Sequence, residues 1–389
     1  MPITKGTQSI TPIYKGADTI SSIYKGTSLV YTADTLAKEF IKPFVVPESY
    51  NTNLVFSTTI KNASAPYETK EVSGGNLYMV GQDKRNVSNG ISDKTQNTSV
   101  TDFYIPSTHN GTQIYSLSQL CLDSTYSIYP NLENIIIGEG IEVIGYSAIW
   151  YGGTTNTTKV PNPPKIMLPK SLKNISTRSL GDLRLYELDT SKYTFYTYWS
   201  NNDYPSENLG PIFYYTTVER CYVNNPIFEN NYATTQSKSA SASPLSGVTG
   251  VKNTYKNLYI KNITKLGEYA LYNNNIENLI IDSNLKSITT NAFNSCTFKM
   301  DVLKLPKTIS YFDYTSVPYN FTDGSIRFEH TNSDSVEFAL NTNNQGPFYY
   351  KTARTLNIYT DNDYIKNHDW ATNENITPTF YHLDGTAWQ

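Results

Sequence analysis

Cysteine is scarce: Cys121, Cys221 and Cys296 are the only three in 389 residues, they lie far apart, and no CxxC pair exists. An odd, scattered set supports neither a disulfide framework nor a zinc site. The thiols read instead as small apolar groups inside a core. Charge is also sparse, at 17% of residues with a net charge of −3. Without a basic excess or stripe, no nucleic-acid partner is expected. No stretch approaches the ~18 apolar residues of a membrane-spanning helix, so membrane insertion is not expected either. The opening MPITKGTQSI lacks the apolar run of a secretory signal, so the chain is expected to stay inside the cell or to leave it by lysis.

Catalytic and metal motifs are missing as well. The four histidines, His109, His330, His368 and His382, form no HxH or HExxH. No nucleophile elbow, dinucleotide fingerprint or phosphate loop occurs. TDNDYIKNHDW offers Asp361, Asp363, His368 and Asp369 but lacks the glycine and terminal glutamate of a calcium loop, so it reads as solvated surface. Asp182, Glu187 and Asp203 supply carboxylates, as any acid-containing chain does, and a glycosidase needs a separation that sequence does not report. The expectation is no enzyme, no metal and no cofactor.

What is abundant is tyrosine, 33 residues, accompanied by Asn, Thr and Ser. Leu, Ile and Val fall in short alternating clusters rather than helical stretches. That composition predicts a mainly β protein.

The chain opens on a stutter. Ile13-Tyr14-Lys15-Gly16 returns ten residues later as Ile23-Tyr24-Lys25-Gly26, and Ile3-Thr4-Lys5-Gly6 is a degenerate earlier copy. Each decapeptide fits one strand plus one turn. Residues 1–32 are expected to anchor the chain by strand addition into equivalent grooves; the alternative is a local meander packed on its own domain. Residues 33–115 read as a connecting β-rich region. It opens with ADTLAKEFIKPF, one or two helical turns capped by Asp34, with Leu36, Phe40 and Ile41 on one side and Pro43 as the stop. Turn signals follow at Gly74-Gly75 and Asn89-Gly90.

From 116 to 389 a repeat appears. Ile135, Ile137, Ile141 and Ile144, closed by Ala148-Ile149, occupy offsets 0, 2, 6 and 9 and then a small–large pair. Ile166, Leu168, Leu172 and Ile175 with Ser179-Leu180 repeat the pattern, as do Leu279, Ile281, Leu285 and Ile288 with Ala292-Phe293. Leu303, Leu305, Ile309 and Phe312 with Ser316-Val317 make a fourth copy. A fifth, one residue shorter, runs from Leu258 and Ile260 through Leu266 to Ala270-Leu271. Offsets 0 and 2 put two side chains on one face of a short strand, and stacked units bury what one unit cannot. Loop insertions are placed at 150–164 and 231–250, the second read as a mobile Ser-rich loop or linker.

LENIIIGEGIEVIGYSAI and LKSITTNAF resemble the BspA-like leucine-rich repeats of bacterial surface proteins and some gut bacteriophage proteins. The closing segment, with Trp370 in a short helix, resembles the end of such arrays. The resemblance implies a repeat solenoid and an interaction module rather than a reaction. The IYKG leader resembles those of virion proteins in tailed gut phages, including crAss-like phages. In SKYTFYTYWSNNDY, Tyr193, Tyr196, Tyr198, Trp199 and Tyr204 suit contact with a glycan or protein, or packing between repeats.

Together these imply a structural virion protein of a tailed bacteriophage, placed on the particle surface and made in the host cytoplasm. It is read as a head fibre, spike or decoration protein of the capsid, anchored through Ile3, Lys5, Gly6 and the two IYKG copies to other virion proteins. Its repeats would serve host attachment, and a homo-oligomer, a trimer first, is expected. A tail fibre or receptor-binding protein and a BspA-like bacterial adhesin are the alternatives, and a polysaccharide-degrading fibre is a further one.

Overall fold

The computed structural model describes residues 95–388 apart from 110–111, 118–121, 123–124, 154–158, 197–209, 231–242, 249, 318–319, 322–323 and 350–352. Before residue 95 it describes six short strands and Phe40. The chain divides into two compact units, Met1–Pro47 and Glu48–Gln389.

In the first unit, Tyr14–Lys15 pairs antiparallel with Asp18–Thr19, and Ser22–Lys25 with Ser28–Thr32. Lys15 faces Asp18 and Lys25 faces Ser28, so each IYKG copy contributes the first strand of a hairpin. Phe40 is helical and buried; Asp34, Leu36, Ile41 and Pro43 of the expected helix lie outside the described residues.

The second unit is a set of parallel ladders. The largest sheet runs from Asp102–Ile105 through Asn134–Ile137, Lys165–Met167, Arg184–Asp189 and Thr217–Val223 to Asn253–Ile260. There the ladder divides. Asn274–Ile276, Thr297–Phe298 and Asn320–Phe321 continue its first half, and Leu279–Ile281 its second. Val302–Leu305, Ser325–Thr331, Arg354–Asp361 and Ile376–Tyr381 form a further parallel sheet. Smaller ladders close the other sides, among them Lys265–Leu266, Ser287–Ile288, Tyr311–Phe312 and Glu337–Phe338. No helix among the described residues is long and apolar enough to cross a membrane.

In-register pairing stacks like on like. Ile135, Ile166, Leu185, Val218 and Tyr255 form one buried column, and Leu266, Ile288, Phe312 and Phe338 another. Every apolar position of the five sequence copies is buried except Leu168 and Ile281, which are partly exposed.

The small–large pairs are backbone rungs. Ile149 N donates to Ser179 O at 2.9 Å, Leu271 N to Ala292 O at 2.9 Å and Phe293 N to Ser316 O at 3.2 Å. Immediately before the small residue the chain turns through the left-handed region, at Ser147, Arg178, Tyr269, Asn291 and Thr315, with φ between 50° and 57°. Left-handed geometry costs an L-residue roughly 1–2 kcal/mol, so stacking on both neighbours overrides local preference at four of the five. The small residues of the five copies have no exposed surface.

Three expectations change. The array does not begin at 116: Asp102–Ile105 and Tyr78–Val80 already pair in parallel with later strands, so these two strands of the connecting region belong to it. The 231–250 insertion is not a linker throughout. Leu245 is fully buried, its carbonyl accepts from Tyr255 Oη at 2.9 Å and Asn274 Nδ2 at 2.8 Å, and Ser243 Oγ donates to Ala270 O. Pro244-Leu245 is in effect another small–large pair. Ile281, read as a core position, lies at the partly exposed rim.

Candidate functional site

Strand alternation sends Leu258 and Ile260 inward and Tyr259 outward. Pairing then sets Asp189, Tyr222, Tyr259 and Ile280 side by side on the outer face. The Tyr222 and Tyr259 rings stack at 4.8 Å and 22°. Lys261 Nζ stands 4.9 Å from one ring centroid and 5.0 Å from the other, within cation–π range. Lys304 occupies the repeat position equivalent to Ile280, and Arg327, Tyr359 and Tyr381 follow it rung by rung. Tyr359 and Tyr381 stack at 5.1 Å and 22°. Ile280 and neighbouring Val302 are 41% and 37% exposed. Beyond Asp189, which pairs with Lys192 at 3.3 Å, the outward positions of the two sheets make a line with a tyrosine pair towards each end and cations between.

Its electrostatics differ from those of the surrounding face. Glu219 is buried between Arg184 Nε and Lys256 Nζ, the latter at 3.0 Å, and forms an ion pair with each. Lys299 is paired with Glu277 at 3.2 Å. Among the described residues, Lys261, Lys304 and Arg327 have no carboxylate partner; Arg327 Nη1 donates to Leu383 O at 2.9 Å. Burial, then the charge of Glu187, holds the Tyr222 phenol above its ordinary value, so the hydroxyl stays protonated.

The tyrosines expected to meet a glycan are placed otherwise. Thr194–Tyr196 stacks in register on Asn174–Ser176, with Phe195 on Ile175 and Tyr196 on Ser176. Tyr193 and Tyr196 are thereby buried, at 9% and 6% exposure, and Tyr196 packs with Tyr115 and Val143. Neither offers a ring to a ligand. Packing between repeats accounts for both, and burial pushes the Tyr193 phenol far up. Tyr198, Trp199 and Tyr204 lie outside the described residues. Of the leader residues, Tyr14, Lys15, Ile23, Tyr24 and Lys25 lie on the hairpin strands. Ile3, Lys5, Gly6, Ile13, Gly16 and Gly26 lie outside the described residues.

The carboxylates disperse to separate tasks. Asp182 is buried, and its oxygens accept from Trp150 Nε1 and Val160 N, both at 3.1 Å, pinning the ends of the 150–164 insertion. Burial pushes its carboxyl up. Glu187 sits on the outer face near Lys192, and Asp203 lies outside the described residues. The cation-loop quartet also separates: Asp361 meets His382 at 2.8 Å, Asp363 accepts from Asn332, Asp369 caps Thr372 N, and His368 meets Glu374. No three metal-ligating side chains converge among the described residues. Cys221 and Cys296 are buried free thiols. Cys296 Sγ donates to Leu271 O, and burial pushes it to about 12; Cys121 lies outside the described residues.

The outward column has a local signature that reading for apolar offsets passes over: a tyrosine between two buried residues, as in Cys221-Tyr222-Val223 and Leu258-Tyr259-Ile260. Its members are far apart in sequence, so only register assembles them.

Residues 251–333 match the family model described as BspA type Leucine rich repeat region, in six copies. No curated protein and no solved structure matches the chain.

Proposed function

We propose, from the BspA-type leucine-rich-repeat array that residues 251–333 form, that this is a non-catalytic attachment protein whose array adheres to a cell surface. The observation that carries the reading is the outward column of stacked tyrosines and of cations that, among the described residues, lack carboxylate partners. A column of this kind has no work to do in the core, and Tyr and Arg are the residue types that binding surfaces favour.

The carrier we assign is a tailed-bacteriophage particle, with the protein as an oligomeric head fibre or decoration protein. The hairpins of the separate N-terminal unit support this, because a repeated strand module suits docking by strand addition. The repeat family favours a second reading, a bacterial surface adhesin.

Deleting residues 1–32 tests the assignment. The shortened protein should melt cooperatively like the full chain and still bind host cells, while mass spectrometry finds it absent from purified particles. Absence of the full-length chain from particles ends the virion reading. Failure of the full-length chain to bind host cells ends the adhesion reading.

A further inference from the structure

We infer that the outward column is a binding site for an anionic polysaccharide, a uronate-bearing chain laid across the strands from Tyr222 to Tyr381. The inference rests on the adhesion reading and deepens it.

Charge complementarity sets the class of ligand. The protein is net negative, at −3, and Arg184, Lys256 and Lys299 on this face are ion-paired with Glu219 or Glu277. Among the described residues, Lys261, Lys304 and Arg327 are left without carboxylate partners, so they make a local cationic line suited to anions. Arg327 keeps further guanidinium donors for a planar carboxylate after its bond to Leu383 O.

Ring orientation separates a glycan from a nucleic acid. Bases bind aromatic side chains face to face. Here Tyr222 and Tyr259 already face each other under Lys261, as Tyr359 and Tyr381 do. What such pairs turn outward is ring edge and hydroxyl. The four hydroxyls have no protein hydrogen-bond partner among the described residues, leaving them for a hydroxyl-rich ligand. Ile280, between the pairs, supplies an apolar contact for a sugar ring.

Extent sets the size. Two paired-strand steps lead from Tyr222 to Ile280 and three from Lys304 to Tyr381, about 10 and 14 Å at roughly 4.8 Å each. Those lengths fit a polymer segment rather than a single sugar.

Titrating the full chain with hexagalacturonate and with maltohexaose by calorimetry tests the inference. The uronate should bind and weaken as salt rises, and the neutral hexamer should not. Lys304→Glu should weaken uronate binding about tenfold or more without moving Tm, since Lys304 is exposed. Tyr359→Phe, which removes only a hydroxyl, should also weaken it. Equal binding of both sugars, no uronate binding, an unchanged Lys304→Glu, or tighter binding of single-stranded DNA than of uronate would each overturn the inference. Should the full chain and Lys304→Glu adhere equally to host cells, the inference fails while the adhesion reading stands.

Discussion

His368 Nε2 lies 2.8 Å from Glu374 Oε1, and the carboxylate has no solvent exposure. The other oxygen accepts from Phe348 N at 2.7 Å. The Phe338 and Trp370 rings meet the imidazole edge-on, with centroids at 4.9 and 5.3 Å. Trp370 is buried within this aromatic cluster, and its Nε1 donates to Ile365 O at 2.8 Å. A polar pair at the centre of a ring cluster makes this part of the array sensitive to protonation.

Burial pushes the Glu374 carboxyl above its ordinary value of 4.5, opposed by the bond and charge of His368, by Phe348 N–H and by Arg354. A raised acid binds its proton more tightly in the folded state. Its contribution to stability is therefore fully present below the unfolded value and is lost as pH rises through the folded one. Melts over a pH series should show stability falling upward from the ordinary glutamate range. Glu374→Gln should flatten that part of the profile. A variant with the wild-type slope would show that another group is responsible.

The core positions make unequal predictions. Ile288 is fully buried and paired with Leu266 and Phe312. Ile288→Ala should cost about 2–5 kcal/mol, and Ile281→Ala, at the partly exposed rim, under about 2 kcal/mol. Hydrogen exchange in Ile288→Ala should speed up at Leu266 and Phe312 more than at the distant Ile149, because each turn of an array leans mainly on its neighbours. Uniform loosening would contradict that nearest-neighbour picture.

Gly267 packs so closely that an added Cβ would lie 1.8 Å from Asn230 O. The obstacle is backbone, which side-chain repacking does not relieve. Gly267→Ala should cost on the order of 1–3 kcal/mol by urea unfolding. At Gly346 the Cβ would lie 1.9 Å from Glu374 Oε1, so Gly346→Ala should also disturb the pH profile. Gly267→Ala should leave that profile's shape unchanged. Wild-type stability in Gly267→Ala would mean that the chain at Asn230 yields.

The interior was legible because inward and outward alternation is a property of adjacent residues. Ile135 and Ile137, or Leu303 and Leu305, declare a buried strand face without reference to anything distant. The small–large closures were legible for the same reason, wherever an aliphatic pattern preceded them. Pro244-Leu245 was missed because a Ser-rich stretch precedes it, and Tyr193 and Tyr196 were misplaced because amphipathic rings suit a core as well as a surface.

The sequence by itself determined the β class, the repeat and the identity of most core residues. Which strand lies beside which was decided only in the tertiary structure. Cys221 and Leu258 are 37 residues apart and Leu258 and Leu279 only 21, yet both pairs are lateral neighbours. Insertions of unequal length are absorbed as loops, and the interior columns set the register. The alignment of Tyr222 with Tyr259, and the meeting of His368 with Glu374, follow from that packing and not from spacing along the chain.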